Sequence, residues 1–158
     1  MVIMRPPAEA DLEPLADLWH SGWRDGHLAI VPEALARLRT RENFRDRLIA
    51  RWGAVRVTGP EGAPLGFHLI LGDELNQFYL AAAARGTGLA SAMMEDAGSL
   101  FRAAGVRRAW LACSIGNERA ARFYAKADWA RVGVETIDCE TSEGPFPLGV
   151  WRYERDWT

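Results

Sequence analysis

The chain has 158 residues and a formal net charge of −2 at pH 7. A hydrophobic fraction of 49% and a charged fraction of 25% suit one soluble globular domain with a full core. These values argue against a broad basic surface for nucleic acid, and no apolar run approaches the ~20 residues of a membrane span.

Val2-Ile3-Met4-Arg5 reads as a short strand, ended by Pro6 and Pro7, with no signal-peptide core before it. Asp11 opens a helix carrying Leu12, Leu15, Leu18 and Trp19 on one side, with Trp23 as a further candidate on that side. Gly22, Gly26 and Pro32 predict a loop over Trp23 to Val31. Glu33 to Arg39 and Thr40 to Trp52 follow as two short helices or one bent one. Thr40 is the N-cap, and Phe44, Leu48 and Trp52 recur every fourth residue. Arg37, Arg41, Arg45, Arg47 and Arg51, interspersed with Glu42 and Asp46, read as a solvated face.

Ala54 to Thr58 and Pro64 to Leu71 are strands around the turn Gly59-Pro60-Glu61-Gly62. Gly72-Asp73 fits a type II′ hairpin turn into a strand from Glu74 to about Leu80. Alternation there puts Glu74, Asn76, Phe78 and Leu80 on one face. After the stretch Ala81-Ala82-Ala83-Ala84-Arg85-Gly86-Thr87-Gly88, a helix carries Leu89, Ala92, Met93, Ala97, Leu100, Phe101 and Ala104 on its apolar face. Gly105 stops it. Val106 to Cys113 form a strand, and Asn117 caps a helix over Glu118 to Ala127. Asp128, one of the few residues that tolerate a left-handed conformation, stands where the chain turns out of that helix. Trp129 to Glu140 and Phe146 to Trp157, joined through Gly144-Pro145, are the last strands. The alternation implies one mixed α/β domain over residues 1–158, with antiparallel pairs at its hairpins. Cys113 and Cys139 lack metal-type spacing and read as buried free thiols of a reducing cytoplasm; no metal is expected.

The chemistry gathers at the glycine stretch. Gly86 and Gly88 let a ligand approach the backbone, and the free N–H groups of the first helical turn suit a phosphate. Arg85 adds a positive charge. No Gly-Lys-Ser/Thr of a P-loop follows, and the strand ending at Cys113 lacks the acid of a dinucleotide site. Arg85-x-x-Gly88-x-Ala90 does match, and resembles the acetyl-coenzyme A motif of the GNAT superfamily of N-acetyltransferases. Asn117-Glu118-Arg119-Ala120-Ala121-Arg122-Phe123-Tyr124, with Asp128-Trp129 after it, resembles the later GNAT pattern Asn-x-x-Ala-x-x-Phe-Tyr followed by Gly-aromatic. The resemblance spans nearly the whole chain. Ala82 stands where many members have proline, Asp128 where they have glycine.

The resemblance implies a central, mostly antiparallel sheet of about seven strands flanked by helices. In that fold, coenzyme A lies in a gap where the strand before the glycine turn splays from the strand after the helix. It implies contacts with acetyl-CoA at Phe78, Tyr79 and Leu80, through Arg85, Gly86, Thr87, Gly88, Leu89, Ala90 and Ser91, and at Asn117, Ala120 and Tyr124. The acetyl group would pass directly, in a ternary complex, to a primary amine of a small molecule or peptide. Tyr124 would be the acid for the leaving thiolate. Glu74 would be the base, through a water relay, since it lies about 13 Å along the strand from Phe78; a solvated hairpin glutamate is the other reading. Asn76 could orient that water, and His68 is a weaker base. Trp23, Asp25 and His27 would border the acceptor pocket, although His27 also reads as a solvated loop histidine. Homodimers are common in the family, and the late tryptophan-rich strands offer an interface. A non-catalytic acyl-CoA-binding module of the same fold stays open, with Tyr124 favouring the enzyme. A nucleotide-binding α/β regulator is a third reading.

Overall fold

A computed structural model describes residues 3–158, so Val2 of the expected first strand lies outside the described residues. The strands are β1 (Met4–Arg5), β2 (Val55–Thr58), β3 (Gly66–Leu71), β4 (Glu74–Leu80), β5 (Arg108–Ser114), β6 (Ala130–Cys139) and β7 (Phe146–Asp156). The helices are α1 (Leu12–His27), α2 (Glu33–Leu38), α3 (Arg41–Ala50), α4 (Leu89–Ala103) and α5 (Glu118–Lys126). The strands form one seven-stranded sheet in the order β1-β2-β3-β4-β5-β7-β6. Neighbours are antiparallel except β4 and β5.

That parallel pair positions everything functional. Its register holds only Glu74 opposite Trp110. The Trp110 N–H donates to the Asp73 carbonyl at 3.0 Å, and its indole N–H to the Asp73 carboxylate at 3.1 Å. Beyond this clamp the strands separate, and among the described residues no strand pairs with the rest of β4 on that side.

The two sheet faces are covered by different helices. One core packs Leu15 and Trp19 of α1 and Phe44 and Leu48 of α3 on Val57 and Phe67. The other packs Met94, Ala97 and Phe101 of α4 on Leu75, Leu111, Trp129 and Trp157. Burying side chains of this size contributes roughly 1.5–3 kcal/mol each. Thr40 caps α3, its hydroxyl accepting the Asn43 N–H at 3.1 Å, and Asp128 takes the left-handed conformation with φ 68°. Gly72 has φ 63° and Asp73 a negative φ, as a type II′ turn requires.

Four expectations are corrected. The loop read over Trp23 to Val31 is helical as far as His27. Gly22 and Gly26 serve close packing instead: a Cβ on Gly22 would sit 2.8 Å from the Tyr79 ring, and one on Gly26 3.0 Å from the Asn117 amide. Helix α1 thereby crosses from β4 to the start of α5. Second, Glu74, Asn76, Phe78 and Leu80 do not share a face. The pairing moves from Leu69 opposite Gln77 to Ile70 opposite Leu75, leaving Asn76 as a bulge. Leu75 and Phe78 therefore point into the α4 side, whereas Tyr79 packs on the α1 side, the side Glu74 takes by alternation. Third, Arg47 is not on a solvated face; its guanidinium lies 4.4 Å from the Trp19 ring centroid. Arg41 and Arg45 do sit outside, paired with Glu13 and Asp17. Fourth, the late tryptophans are not a surface: Trp129 and Trp157 are buried, and Trp151 lies under Arg131. The exposed apolar residues there are Val132 and Val134 of edge strand β6.

Candidate active site

The parting of β4 and β5 opens one cavity of about 720 Å³. Helix α1 closes one wall with Trp23 and His27, and the β6–β7 hairpin closes another with Ile137 and Leu148. At one end lies the glycine turn. Gly86 and Gly88 have φ of 76° and 84°, and a Cβ on either would meet no atom within 4 Å. The open space is on the outside of the turn, where a ligand can reach the backbone. No side chain caps α4, so the N–H groups of its first turn remain available. Arg85 lines the cavity and lies 3.6 Å from Asp25 of α1, an exposed pair that leaves the guanidinium free to contact an anion. Thr87 turns its hydroxyl back onto the Ala84 carbonyl and stabilises the loop.

Asn117 faces inward to its own helix: its side chain accepts the Ala120 N–H at 3.3 Å and so caps α5. That orients the helix which presents Ala120, Phe123 and Tyr124 to the cavity. Phe123 stacks on Phe78 of β4 at 5.3 Å across the split and packs on the second core. Tyr124 packs edge-on against Trp129 and leans on Tyr153, 6.0 Å between ring centroids. Among the described residues its hydroxyl has no hydrogen-bond partner. Burial pushes the phenol well above its ordinary pKa, with Cys113 and Tyr79 adding to the effect. Such a group is protonated throughout the neutral range and has a proton to donate.

Glu74 is half-buried on the cavity wall and accepts from the Asn76 amide at 3.2 Å. Desolvation raises its pKa above 4.5, Asp73 adds to the rise, and the Asn76 hydrogen bond opposes it. The shift moves a carboxylate toward the range useful for a base. His27 stacks face to face on Trp23 at 5.3 Å, and its Nδ1 lies 3.1 Å from the Trp23 carbonyl. Burial lowers its pKa to about 4, with the Arg39 charge acting the same way, so its ring is neutral at pH 7. His68, the weaker base in sequence, is fully buried elsewhere, 2.7 Å from Asp96 of α4. It does not line the cavity.

The structure thus gathers Trp23, His27, Glu74, Asn76, Phe78, Tyr79, Leu80, Arg85, Gly86, Ala90, Asn117, Ala120 and Tyr124 around one space. Thr87, Gly88, Leu89 and Ser91 belong to the same turn without lining the cavity wall. Sequence reading missed Arg39 and the hairpin residues Ile137 and Leu148, and misplaced Arg47. Arg47 had a signal: it follows Phe44 by three residues, on the buried stripe of α3. The hairpin residues had none, because a pairing across β7 brings them there.

The chain matches the Acetyltransferase (GNAT) family over residues 18–129. It belongs to that family. It is 30% identical over 118 residues to an uncharacterized N-acetyltransferase of Mycobacterium tuberculosis, covering 69% of this chain and 76% of the relative; the Mycobacterium bovis protein matches equally. Among solved structures, a GCN5-related N-acetyltransferase from Rhodopseudomonas palustris superposes with a TM-score of 0.75 at 17% identity, over 99% of this chain and 96% of that one. The PaiA N-acetyltransferase of Thermoplasma acidophilum, in complex with coenzyme A, gives 0.68 at 16% identity over 99% of both chains. The acetyltransferase YncA of Salmonella typhimurium, with acetyl-CoA, gives 0.70 at 14% identity over 100% of this chain and 95% of that one. These likenesses bear out the mixed α/β, seven-stranded fold, and family membership makes the chain an acyltransferase.

Proposed function

We propose that the protein transfers the acetyl group of acetyl-CoA directly to a primary amine of a small molecule or peptide, both substrates occupying the β4–β5 cavity together. The carrying observation is the conjunction in that one space of an uncapped helix N-terminus, an unpaired strand edge, a phenol and a desolvated carboxylate. The site fits the cosubstrate. The N–H groups at Gly86 to Ser91 and the Arg85 guanidinium would hold a diphosphate. The free edge of β4 would pair with a peptide-like arm as an added strand does. Acetyl-CoA supplies an activated acyl thioester.

The chain's own residues have two proton tasks. Glu74, directly or through a water held by Asn76, takes a proton from the ammonium form of the acceptor. Tyr124 donates a hydrogen bond, or its proton, to the departing sulfur. The unperturbed phenol and thiol differ by about 1.5 pKa units, roughly 2 kcal/mol, so a hydrogen bond that strengthens as charge develops already helps. Trp23 and His27 wall the acceptor half. The unpaired Cys113 and Cys139 suit a reducing compartment such as the cytoplasm, and exposed Val132 and Val134 support a homodimer through β6. No helix among the described residues is long and apolar enough to cross a membrane.

The test is thiol release from acetyl-CoA across a panel of amines. Amine-dependent release, abolished without amine, is expected. Tight coenzyme A binding with no release for any amine would instead assign a binding module.

A further inference from the structure

The acceptor half of the cavity contains two guanidinium groups that the proposed chemistry does not use, one buried and one half-buried. Arg39, at the end of α2, is 5% exposed. Its Nη1 donates to the Asn43 side chain at 2.8 Å and to the Glu140 carbonyl, both neutral acceptors, and its Nε is buried with no partner. Arg47 of α3 lies over Trp19, its Nε also buried and unpartnered. Among the described residues it makes no hydrogen bond at all, and neither arginine has a carboxylate oxygen within 4.0 Å. The carboxylates on the same cavity wall are otherwise engaged or apart: Glu74 accepts from Asn76, Glu140 pairs with Arg51 at 3.3 Å, and Asp138 makes no ion pair.

Two like charges held close and desolvated, with only one carboxylate, Glu140, acting on both and that one already paired with Arg51, are costly, and a ligand anion relieves that cost. Burial lowers the pKa of Arg47 to about 10, with Arg39 lowering it further toward that value, so it is still a cation at pH 7. The planar fork of a guanidinium matches a carboxylate, and the surrounding wall of Trp23, Leu35, Ile137 and Leu148 strengthens such a pair by excluding water.

We propose that Arg47 and Arg39 form a carboxylate subsite, so that the acceptor is an amine whose carrier also bears a carboxylate. This rests on the acetyl-transfer reading for the amine, whereas the anion site itself stands on the two arginines.

The experiment compares amino acids of increasing amine-to-carboxylate spacing with their matched amides. Thiol release from acetyl-CoA is measured, and each acid is titrated calorimetrically into the coenzyme A complex. Wild type should favour at least one acid over its amide by tenfold or more in kcat/KM. Arg47→Met keeps the aliphatic cover over Trp19 and should bring that ratio to within about twofold of one, with unchanged coenzyme A affinity. Arg47→Lys keeps the charge without the fork and should retain part of the preference, which separates recognition from misfolding. Amides used as well as acids, a preference intact in a folded Arg47→Met protein, or no acid bound by a protein that binds coenzyme A would each overturn the subsite. Acids that bind through Arg47 without any thiol release would keep the subsite and sink the acetyl-transfer reading.

Discussion

At the scale of the residue, burial acts on Tyr124 and Glu74 in the same direction. Burial disfavours the charged form of each, which leaves a phenol that keeps its proton to donate and a carboxylate whose affinity for protons is raised. Tyr124→Phe keeps the ring against Trp129 and Tyr153 and removes only the hydroxyl. It should lower kcat ten- to a thousandfold, roughly 1.4–4 kcal/mol, with acetyl-CoA affinity within a fewfold of wild type. Equal turnover, where chemistry limits the rate, would remove this hydroxyl from the mechanism. For Glu74 the sign is fixed by its raised pKa. A base acts deprotonated, so activity should rise with pH through a value above 4.5. Glu74→Gln should flatten that limb and slow transfer, with the loss shrinking at high pH as the free amine becomes more abundant. A rate within twofold of wild type at pH 7 would return Glu74 to the role of a hairpin residue. Folding should respond in the other direction. The folded state holds the Glu74 proton more tightly than the unfolded one, so ionisation destabilises the fold as pH rises through that same value. The glutamine variant should therefore melt no lower than wild type at pH 7, and any advantage should vanish below pH 4.5; a variant clearly less stable at pH 7 would contradict that sign.

At the scale of the element, glycines inside helices carry the packing. A Cβ on Gly98 of α4 would lie 2.2 Å from the Trp157 ring, which stacks on Phe101 and is buried in the second core. Alanine would gain up to about 1 kcal/mol of helix propensity, but displacing a packed indole costs about 1–3 kcal/mol. Gly98→Ala should therefore destabilise, lowering the urea midpoint at unchanged m-value; a midpoint at or above wild type would show that the ring moves freely. The same feature explains what the sequence concealed. The β4 boundaries, the type II′ turn, the Thr40 and Asn117 caps and the left-handed Asp128 were legible, because each depends on chemistry within a few residues. The end of α1 was not. Gly22 and Gly26 look like helix breakers until Tyr79 and Asn117, distant in sequence, are seen against them. The Asn76 bulge was equally hidden, since it is a property of the β3–β4 register. It moved Glu74 to the other face of the sheet.

At the scale of the molecule, the sheet is two halves, β1–β4 and β5–β7, joined at a single clamp, with Glu74 opposite Trp110, and the cavity is the space the clamp leaves open. Helix α1 and the β6–β7 hairpin both contribute to its walls. The cosubstrate half was readable because Arg85, Gly86 and Gly88 are contiguous. The acceptor half was not, because Trp23, Arg39, Arg47, Ile137 and Leu148 come from four separate elements and the end of α2. On the proposed function, the α4 N-terminus at Gly88 holds the diphosphate of coenzyme A. Calorimetric titration of coenzyme A into wild type and Gly88→Val tests it. The branched side chain would project into the open space outside the turn, at a φ of 84° that valine also resists. A tenfold or greater loss of affinity is expected, about 1.4 kcal/mol or more, in a variant whose thermal unfolding remains cooperative. Wild-type affinity in that folded variant would contradict it.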